Sequence, residues 1–296
     1  MTGGIHRPVM LKEVVEQLGL KPGDDVLDCT VGAGGHAEAI LEATSPDGKL
    51  YGIDRDGEIL PLAERRLERF GARVVLRQGR FDRISVLFPE IGRFDGILFD
   101  LGVSSLQLDR SERGFSFSGK GPLDMRMDRT AGESAADLLA RLSEEELGSI
   151  LKSYGEERYA RRVARSIVRA RERAPITETD ELERLIYKAV PPNYRHGRIH
   201  PATRTFQALR IAVNHETELL EAALPGAVAH LKKGGRICVL AFHSLEDRIV
   251  KRSFRTMERT QGEVRILSKK PLTPDLEETR ANPRARSAKM RVAERI

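Results

Sequence analysis

An apolar run that ends in a glycine turn, Asp25-Val26-Leu27-Asp28-Cys29-Thr30-Val31-Gly32-Ala33-Gly34-Gly35-His36, restricts this chain more than any other stretch. A short buried strand passes into a turn, and residues 37–44 then read as a helix. The glycines allow a tight bend and close backbone approach, while the first N–H groups of the helix have no partner within it. Together they make a positively polarised cradle for a cofactor. Glycines also make ordinary turns, so the reading needs a second signal. It comes from Gly48-Lys49-Leu50-Tyr51-Gly52-Ile53-Asp54, a strand pattern ending in an acid. That acid lies roughly 20 residues past the glycines, the spacing at which a carboxylate ending strand 2 meets a ribose diol.

The pattern repeats along the first third of the chain. Strands are expected at residues 25–29, 49–54, 73–78 and 94–100, the last running Phe94-Asp95-Gly96-Ile97-Leu98-Phe99-Asp100 into a further acid. An amphipathic helix is expected from His6-Arg7-Pro8 to Leu18, and another over residues 57–69. Strands alternating with helices at this spacing argue for an α/β fold, Rossmann-like, with a parallel sheet covered on both faces. The carboxyl ends of such strands meet in one crevice. Gly32, Gly34, Gly35, His36, Asp54, Phe81 and Asp100 can therefore line a single site.

Beyond Asp100 the pattern changes. Residues 111–128 are too rich in turn formers for a helix and are read as a loop packed over the crevice. Helices are expected at residues 135–141, from a cap-and-box start at Ser143, at 158–173 and at 179–190. No strand pattern interrupts them, so they read as a helical subdomain inserted into the sheet domain. The expected divisions are residues 1–108, 109–200 and 201–296, the third opening with one long helix from Ala202 to about Leu224. A fifth strand, residues 236–241, leads into Phe242-His243-Ser244-Leu245-Glu246-Asp247, where Ser244 and Asp247 suit a helix cap and box. Residues 264–269 read as a possible strand, and the final residues as an edge strand.

Arg158, Arg161, Arg162, Arg165, Arg169, Arg171 and Arg173 lie at spacings that place several guanidinium groups on neighbouring turns. Such a stripe fits a solvated face and a phosphate-backbone contact almost equally well. The basic tail containing Arg284 and Arg286 offers a second set of cations. A formal charge of +6 and a pI near 9.4 favour an anionic macromolecule as partner. Cys29 and Cys238 each sit in an apolar run and read as buried thiols, not a disulfide framework. No stretch approaches the length of a membrane span, and a cytoplasmic location is expected. The apolar stripes of the inserted helices either pack internally or form a partner surface, which leaves a homodimer open.

Three chemistries suit a crevice of this kind: hydride transfer, nucleotide hydrolysis, and group transfer from an adenosyl cofactor. The lysine and hydroxyl residue of a phosphate-binding P-loop are missing, and Gly32-Ala33-Gly34-Gly35 lacks the third-glycine spacing of the nicotinamide fingerprint. In a methyltransferase the same loop approaches the methionine part of S-adenosyl-L-methionine and Asp54 accepts from the ribose diol. Asp100 suits contact with the cofactor or with a target amine, and Ser104 can orient a base. His243, just past strand 5, is a candidate base or substrate contact. Its histidines lack compact ligand spacing, so no metal site is expected.

These motifs together resemble the RsmH (MraW) family of small-subunit ribosomal RNA cytidine N4-methyltransferases. The resemblance spans nearly the whole chain. It rests on residues 6–13 and 28–36, Gly52 to Asp56, Asp100-Leu-Gly-Val-Ser-Ser-Leu-Gln107, Glu112-Arg-Gly-Phe-Ser-Phe117 and Gly121-Pro-Leu-Asp-Met-Arg-Met-Asp128. His200 to Ile211, Phe242 to Lys251 and Asn282 to Lys289 extend it. Arg7, Val31 and Ala33 depart from the family's usual residues, but the glycines, His36 and the strand-end acids remain. The resemblance implies S-adenosyl-L-methionine binding by Gly34, Gly35, His36, Asp54, Phe81, Asp100 and Gln107. It also implies methylation of the N4 amine of a decoding-region cytidine after substantial subunit assembly. On that basis Arg158, Arg162, Arg165, Arg169, Arg284 and Arg286 are candidate RNA contacts, and Phe115 and Phe117 are candidates to surround a flipped base. The rival expectations are a methyltransferase acting on another RNA or on a protein, and a non-catalytic RNA-binding assembly factor.

Overall fold

A computed structural model describes residues 8–89, 92–197 and 199–296; His6, Arg7 and Arg198, which belong to expected segments, lie outside the described residues. The chain forms two compact units, Met1–Gly102 with Thr217–Ile296, and Val103–Glu216.

In the first unit α1 (Leu11–Leu18) buries Val14 and Leu18 and ends where Gly19 turns left-handed at φ 65°. There follow β1 (Val26–Asp28), α2 (Gly35–Ala43), β2 (Leu50–Asp54), α3 (Leu60–Leu67), β3 (Val74–Gln78), the single turn α4 (Ile84–Leu87) and β4 (Phe94–Asp100). Successive strand side chains point to opposite faces, and here both faces are covered. Leu27, Tyr51, Ile53, Ile97 and Phe99 enter one core, whereas Val26, Leu50 and Leu98 enter the other. This double burial is why the strands read as continuous apolar runs. The helix expected from residue 57 starts at Leu60, because Asp56 Oδ1 accepts the Glu58 N–H at 3.0 Å and holds a turn there.

The second unit contains α5 (Ser105–Asp109), α6 (Ala135–Arg141), α7 (Glu144–Ser153), α8 (Ala160–Arg171), α9 (Thr179–Ala189), the single turn α10 (Pro192–Arg195) and α11 (Ala202–Asn214). Ser134 and Ser143 open α6 and α7 in reciprocal capping boxes with Asp137 and Glu146. Leu139, Leu147, Leu151, Val163, Ile167, Leu182, Ile186, Phe206 and Leu209 fill one core. The loop at residues 111–128 is pinned into this unit by polar groups that have no exposure to spare. Arg113 is fully buried and donates from Nη2 to the carbonyls of Arg126 and Met127, both at 3.0 Å. Asn214 donates to the Met125 carbonyl at 2.7 Å and accepts the Met127 N–H at 2.9 Å.

That use of Asn214 also corrects the single long helix expected from Ala202. His215 adopts a left-handed conformation, φ 51°, and closes α11; α12 (Glu216–Ala229) begins a new helix. Arg210 spans the break with two bonds to Glu216, at 2.9 and 2.8 Å. The expected divisions at residues 108 and 200 therefore move to 102 and 216. Phe206, Ala208 and Leu209 of α11 belong to the helical core, so that helix goes with the second unit.

The first unit resumes with α12, β5 (Leu231–Ala241), α13 (Ser244–Thr256), β6 (Val264–Ile266), α14 (Leu276–Ala281) and β7 (Lys289–Arg295). The sheet order is β3-β2-β1-β4-β5-β7-β6. Its first five strands are parallel, and β7 runs antiparallel to both neighbours. The terminal strand, expected at the edge, is interior: β6 covers it, and Met290, Val292 and Ala293 are fully buried. Cys29 and Cys238 are buried thiols. Among the described residues no helix is long and apolar enough to cross a membrane.

Candidate active site

The strand order reverses between β1 and β4, since β2 lies outside one and β5 outside the other. Loops diverging at such a point leave a crevice at the carboxyl ends of the strands. Register places Asp28 of β1 opposite Leu98, two residues before the end of β4, and opposite Gly52, two residues before the end of β2. Asp28, Asp54 and Asp100 are thereby gathered at one edge of the sheet.

The glycine loop is built by backbone bonds. Val31 donates to Ile53 O at 2.9 Å and Gly34 to Val31 O at 2.8 Å, with Gly32 and Gly34 at φ 53° and 81°. Those left-handed positions are available to glycine at little steric cost. Gly34 caps α2 without offering a side-chain acceptor, which suits a helix start that serves a ligand. A Cβ on Gly35 would stand 2.4 Å from Pro8 Cγ, so the chain entering α1 packs directly on this turn. Asp54 ties loop to strand: its Oδ2 accepts the Gly32 N–H and its Oδ1 the Asp56 N–H, both at 2.9 Å. Burial pushes its carboxyl up to about 6, against the lowering effect of those two N–H groups. Each oxygen retains a lone pair, so a diol can still be accepted.

Behind the loop lies a network that links the strands. The buried His36 ring sets Nε2 2.9 Å from the Val9 carbonyl and Nδ1 3.4 Å from Asp100 Oδ2. A carbonyl only accepts, so Nε2 carries a proton; a carboxylate facing Nδ1 calls for another. The His36–Asp100 pair therefore shares one proton more than a neutral ring beside a carboxylate. Burial opposes the charged ring, yet Asp100, Asp28 and the Val9 carbonyl together raise its pKa above the ordinary histidine value. Asp28 is buried and accepts the Thr30 N–H at 3.0 Å, and Thr30 Oγ1 in turn accepts the Asp100 N–H at 2.6 Å. Desolvation pushes the Asp28 carboxyl up to about 7, which His36 partly offsets.

Asp100 Oδ1 is buried and has no hydrogen-bond partner among the described residues. An orphaned carboxylate oxygen is costly unless a ligand donor completes it. The left-handed glycine turn, the uncapped start of α2, the Asp54 acceptors and this oxygen fit a cofactor carrying a ribose diol and an amine. Phe81 packs edge-on against Phe99, with centroids 5.4 Å apart, and walls the same unit.

Other expected site residues have structural roles. His243, not Ser244, caps α13: its Nδ1 accepts the Glu246 N–H at 3.4 Å, while Glu246 accepts from Phe242 N at 2.7 Å and from His243 N at 3.3 Å. Its Nε2 lies 3.1 Å from Glu246 Oε1, so the ring is held against its own helix start. The cap moved one residue because Glu246, at the box position, is three residues beyond His243. In the second unit Ser104 and Gln107 are each other's partners, with Ser104 Oγ accepting Gln107 N–H at 3.2 Å and Gln107 Oε1 accepting Ser104 N–H at 3.0 Å. Phe115 is buried in the helical core and Phe117 stacks on His200 at 4.7 Å, which accounts for both aromatics by internal packing.

On α8, Ala160, Val163, Ala164 and Ile167 are buried, while Arg161, Arg162, Arg165 and Arg169 are exposed; Arg158, just before the helix, is exposed too. Arg165 pairs with Glu144 at 3.1 Å, and Arg171 is spent on the carbonyls of Leu139 and Leu142. Arg284 and Arg286 are exposed on a short 3-10 turn, Pro283–Ser287. Sequence reasoning passed over Asp28, Thr30 and the Val9 carbonyl as site residues. An acid inside an otherwise apolar strand was the available signal for Asp28.

Comparison with known proteins identifies the family. Ribosomal RNA small subunit methyltransferase H of Trichlorobacter lovleyi is 50% identical over 307 aligned positions covering 98% of each chain. The protein of the same name from Pelobacter propionicus is 50% identical over 313 positions covering all of both chains. The MraW methylase family profile matches residues 4–296, and the chain belongs to that family.

Proposed function

We propose that this methylase transfers a methyl group to the exocyclic N4 amine of a cytidine in the decoding region of small-subunit ribosomal RNA, acting on an assembled or nearly assembled subunit. The methyl donor is S-adenosyl-L-methionine, which supplies an electrophilic sulfonium methyl. The chain's part is to bind, orient and exclude water. Asp54 accepts the ribose diol, and the loop from Gly32 to His36 presents its backbone to the methionine side. Asp100 Oδ1 accepts an N–H from the cofactor amine or the target amine.

The observation that carries the reading is the buried Asp100 oxygen at the carboxyl end of β4, next to the glycine turn, which has no partner among the described residues. A nucleobase amine is a poor nucleophile because its lone pair is delocalised into the ring, and an acceptor fixed on its N–H favours attack geometry. His36 fixes Asp100 by taking Oδ2, which leaves Oδ1 for that bond. The exposed arginines of α8, with Arg158, suit phosphate contacts, and the relatives' shared name supplies the substrate class.

The test incubates purified protein and labelled S-adenosyl-L-methionine with undermodified small subunits, then maps the product by nucleoside mass spectrometry. N4-methylcytidine at one decoding-region position is expected. Its absence from every properly assembled substrate overturns the proposal, and label in another RNA or in protein redirects it.

A further inference from the structure

The first unit carries a second arginine stripe, distinct from that of α8, on the outer face of α13 and the turn that continues it. Arg248, Arg252, Arg255 and Arg259 are exposed at spacings of four, three and four residues. That repeat keeps side chains on one face of a helix. The opposite face is buried through Glu246, Ile249, Val250 and Phe254, with Met257 continuing it in the π turn Met257–Gln261. From Arg248 to Arg259 the stripe runs about 16 Å along the axis, at 1.5 Å per residue.

What distinguishes this face is the fate of the acids around it. Glu246 is committed to the helix cap, accepting from Phe242 N and His243 N. Asp247 is neutralised by Arg291 at 2.6 Å and Lys289 at 3.7 Å, both from β7. Glu258 accepts the Ile266 N–H of β6 at 2.8 Å. Every acidic side chain between residues 244 and 261 therefore has an internal task. Among the described residues none forms an ion pair with Arg252, Arg255 or Arg259. Surface arginines elsewhere in the chain do pair with acids within reach, Arg184 with Asp180 one turn away on α9 and Arg165 of α8 with Glu144 of α7. Here Arg252, Arg255 and Arg259 are left over, and like charges on neighbouring turns repel one another. A polyanion that bridges successive turns relieves that repulsion.

We infer that the face of α13 bearing Arg252, Arg255 and Arg259 is a phosphate-backbone contact for the RNA substrate, located on the unit that holds the cofactor site. The inference rests on the small-subunit RNA reading above and adds a surface to it. The helix starts directly after β5, whose carboxyl end lies beside that of β4 and Asp100. The three arginines lie 8 to 15 residues beyond Ser244, about 12 to 22 Å along the axis from that end, so RNA held there is anchored to the unit whose sheet positions the reacting groups. Such contacts fix register and orientation without reading sequence.

The test compares wild type with Arg252→Gln/Arg255→Gln/Arg259→Gln and with the corresponding triple lysine variant. Affinity for small subunits is measured from 50 to 200 mM salt, alongside methylation kinetics. Three phosphate contacts contribute roughly 2 to 3 to the slope of log K against log salt, so over this range the wild type loses roughly 20- to 40-fold more affinity than the glutamine variant. KM for subunits rises in the glutamine variant, kcat at saturating subunits and affinity for S-adenosylhomocysteine stay at wild-type values, and the lysine variant keeps the steep slope. An unchanged slope and KM in the glutamine variant overturns the surface. Lost S-adenosylhomocysteine affinity in both variants overturns it too, by assigning the residues to folding. If wild type binds subunits through this face but forms no N4-methylcytidine, the surface stands and the proposed reaction falls.

Discussion

If Asp54 binds the cofactor as a carboxylate, cofactor affinity must follow its ionisation. Burial raises its carboxyl from 3.8 to about 6. The protonated form has one acceptor fewer for the diol. The ionised fraction is then about one-half at pH 6 and about one-eleventh at pH 5. Affinity for S-adenosylhomocysteine is expected to be near its plateau at pH 8 and about tenfold weaker at pH 5, since binding draws on the ionised form alone. Hydrogen bonds to a charged group contribute ~1.5–3 kcal/mol, so Asp54→Asn is expected to weaken binding about 10- to 150-fold at pH 8 and to abolish this pH limb. Asp28 and His36 titrate nearby, and Asp28→Asn serves as the control that keeps the Asp54 limb. Isothermal titration calorimetry across pH 5 to 8 reads all three proteins. A flat wild-type profile, or an undiminished limb in Asp54→Asn, refutes the reasoning.

Two further outcomes follow from the same strand edge. The folded-state carboxyl of Asp28 is raised to about 7 from 3.8, so its ionised form costs stability, absent below pH 4 and complete above pH 7. Asp28→Asn, which can keep the bond to Thr30, is expected to raise unfolding stability at pH 8 by up to about 4 kcal/mol and to leave it unchanged near pH 4; equal denaturation midpoints at pH 8 refute this. Asp100→Ala is expected to lower kcat about 10- to 150-fold at saturating cofactor and subunits, the range for one hydrogen bond to a charged group. Unchanged turnover removes Asp100 from the reaction.

Much of the scaffold is legible in the residues because local physics sets it. Strands buried on both faces read as near-continuous apolar runs, which marks β1, β2 and β4 without reference to their neighbours. Ser143 with Glu146 announces the start of α7, since both halves of a capping box lie within four residues. The role expected for Asp54 has the same origin, because strand, turn and acid recur at a fixed interval. Where two local solutions compete, the residues mislead. Serine is the commoner cap, yet His243 takes the position because Glu246 stands three residues beyond it and closes the box. The long helix expected after Ala202 breaks at His215 because Asn214 is drawn into holding Met125 and Met127, a demand made by a loop nearly 90 residues earlier.

By itself, then, the chain's sequence determines the alternation of strand and helix, the glycine turn, the strand-end acids and the insertion of a helical unit. All of these depend on residues within a few turns of one another. Only the tertiary structure decides that β7 is enclosed between β5 and β6, that α11 joins the helical core, and that His36, Asp28 and Asp100 share a proton-bearing network. Asp28 and Asp100 are 72 positions apart and meet because β1 and β4 are neighbours in register. The energy of a buried charge depends on what surrounds it in space, and sequence spacing does not record that.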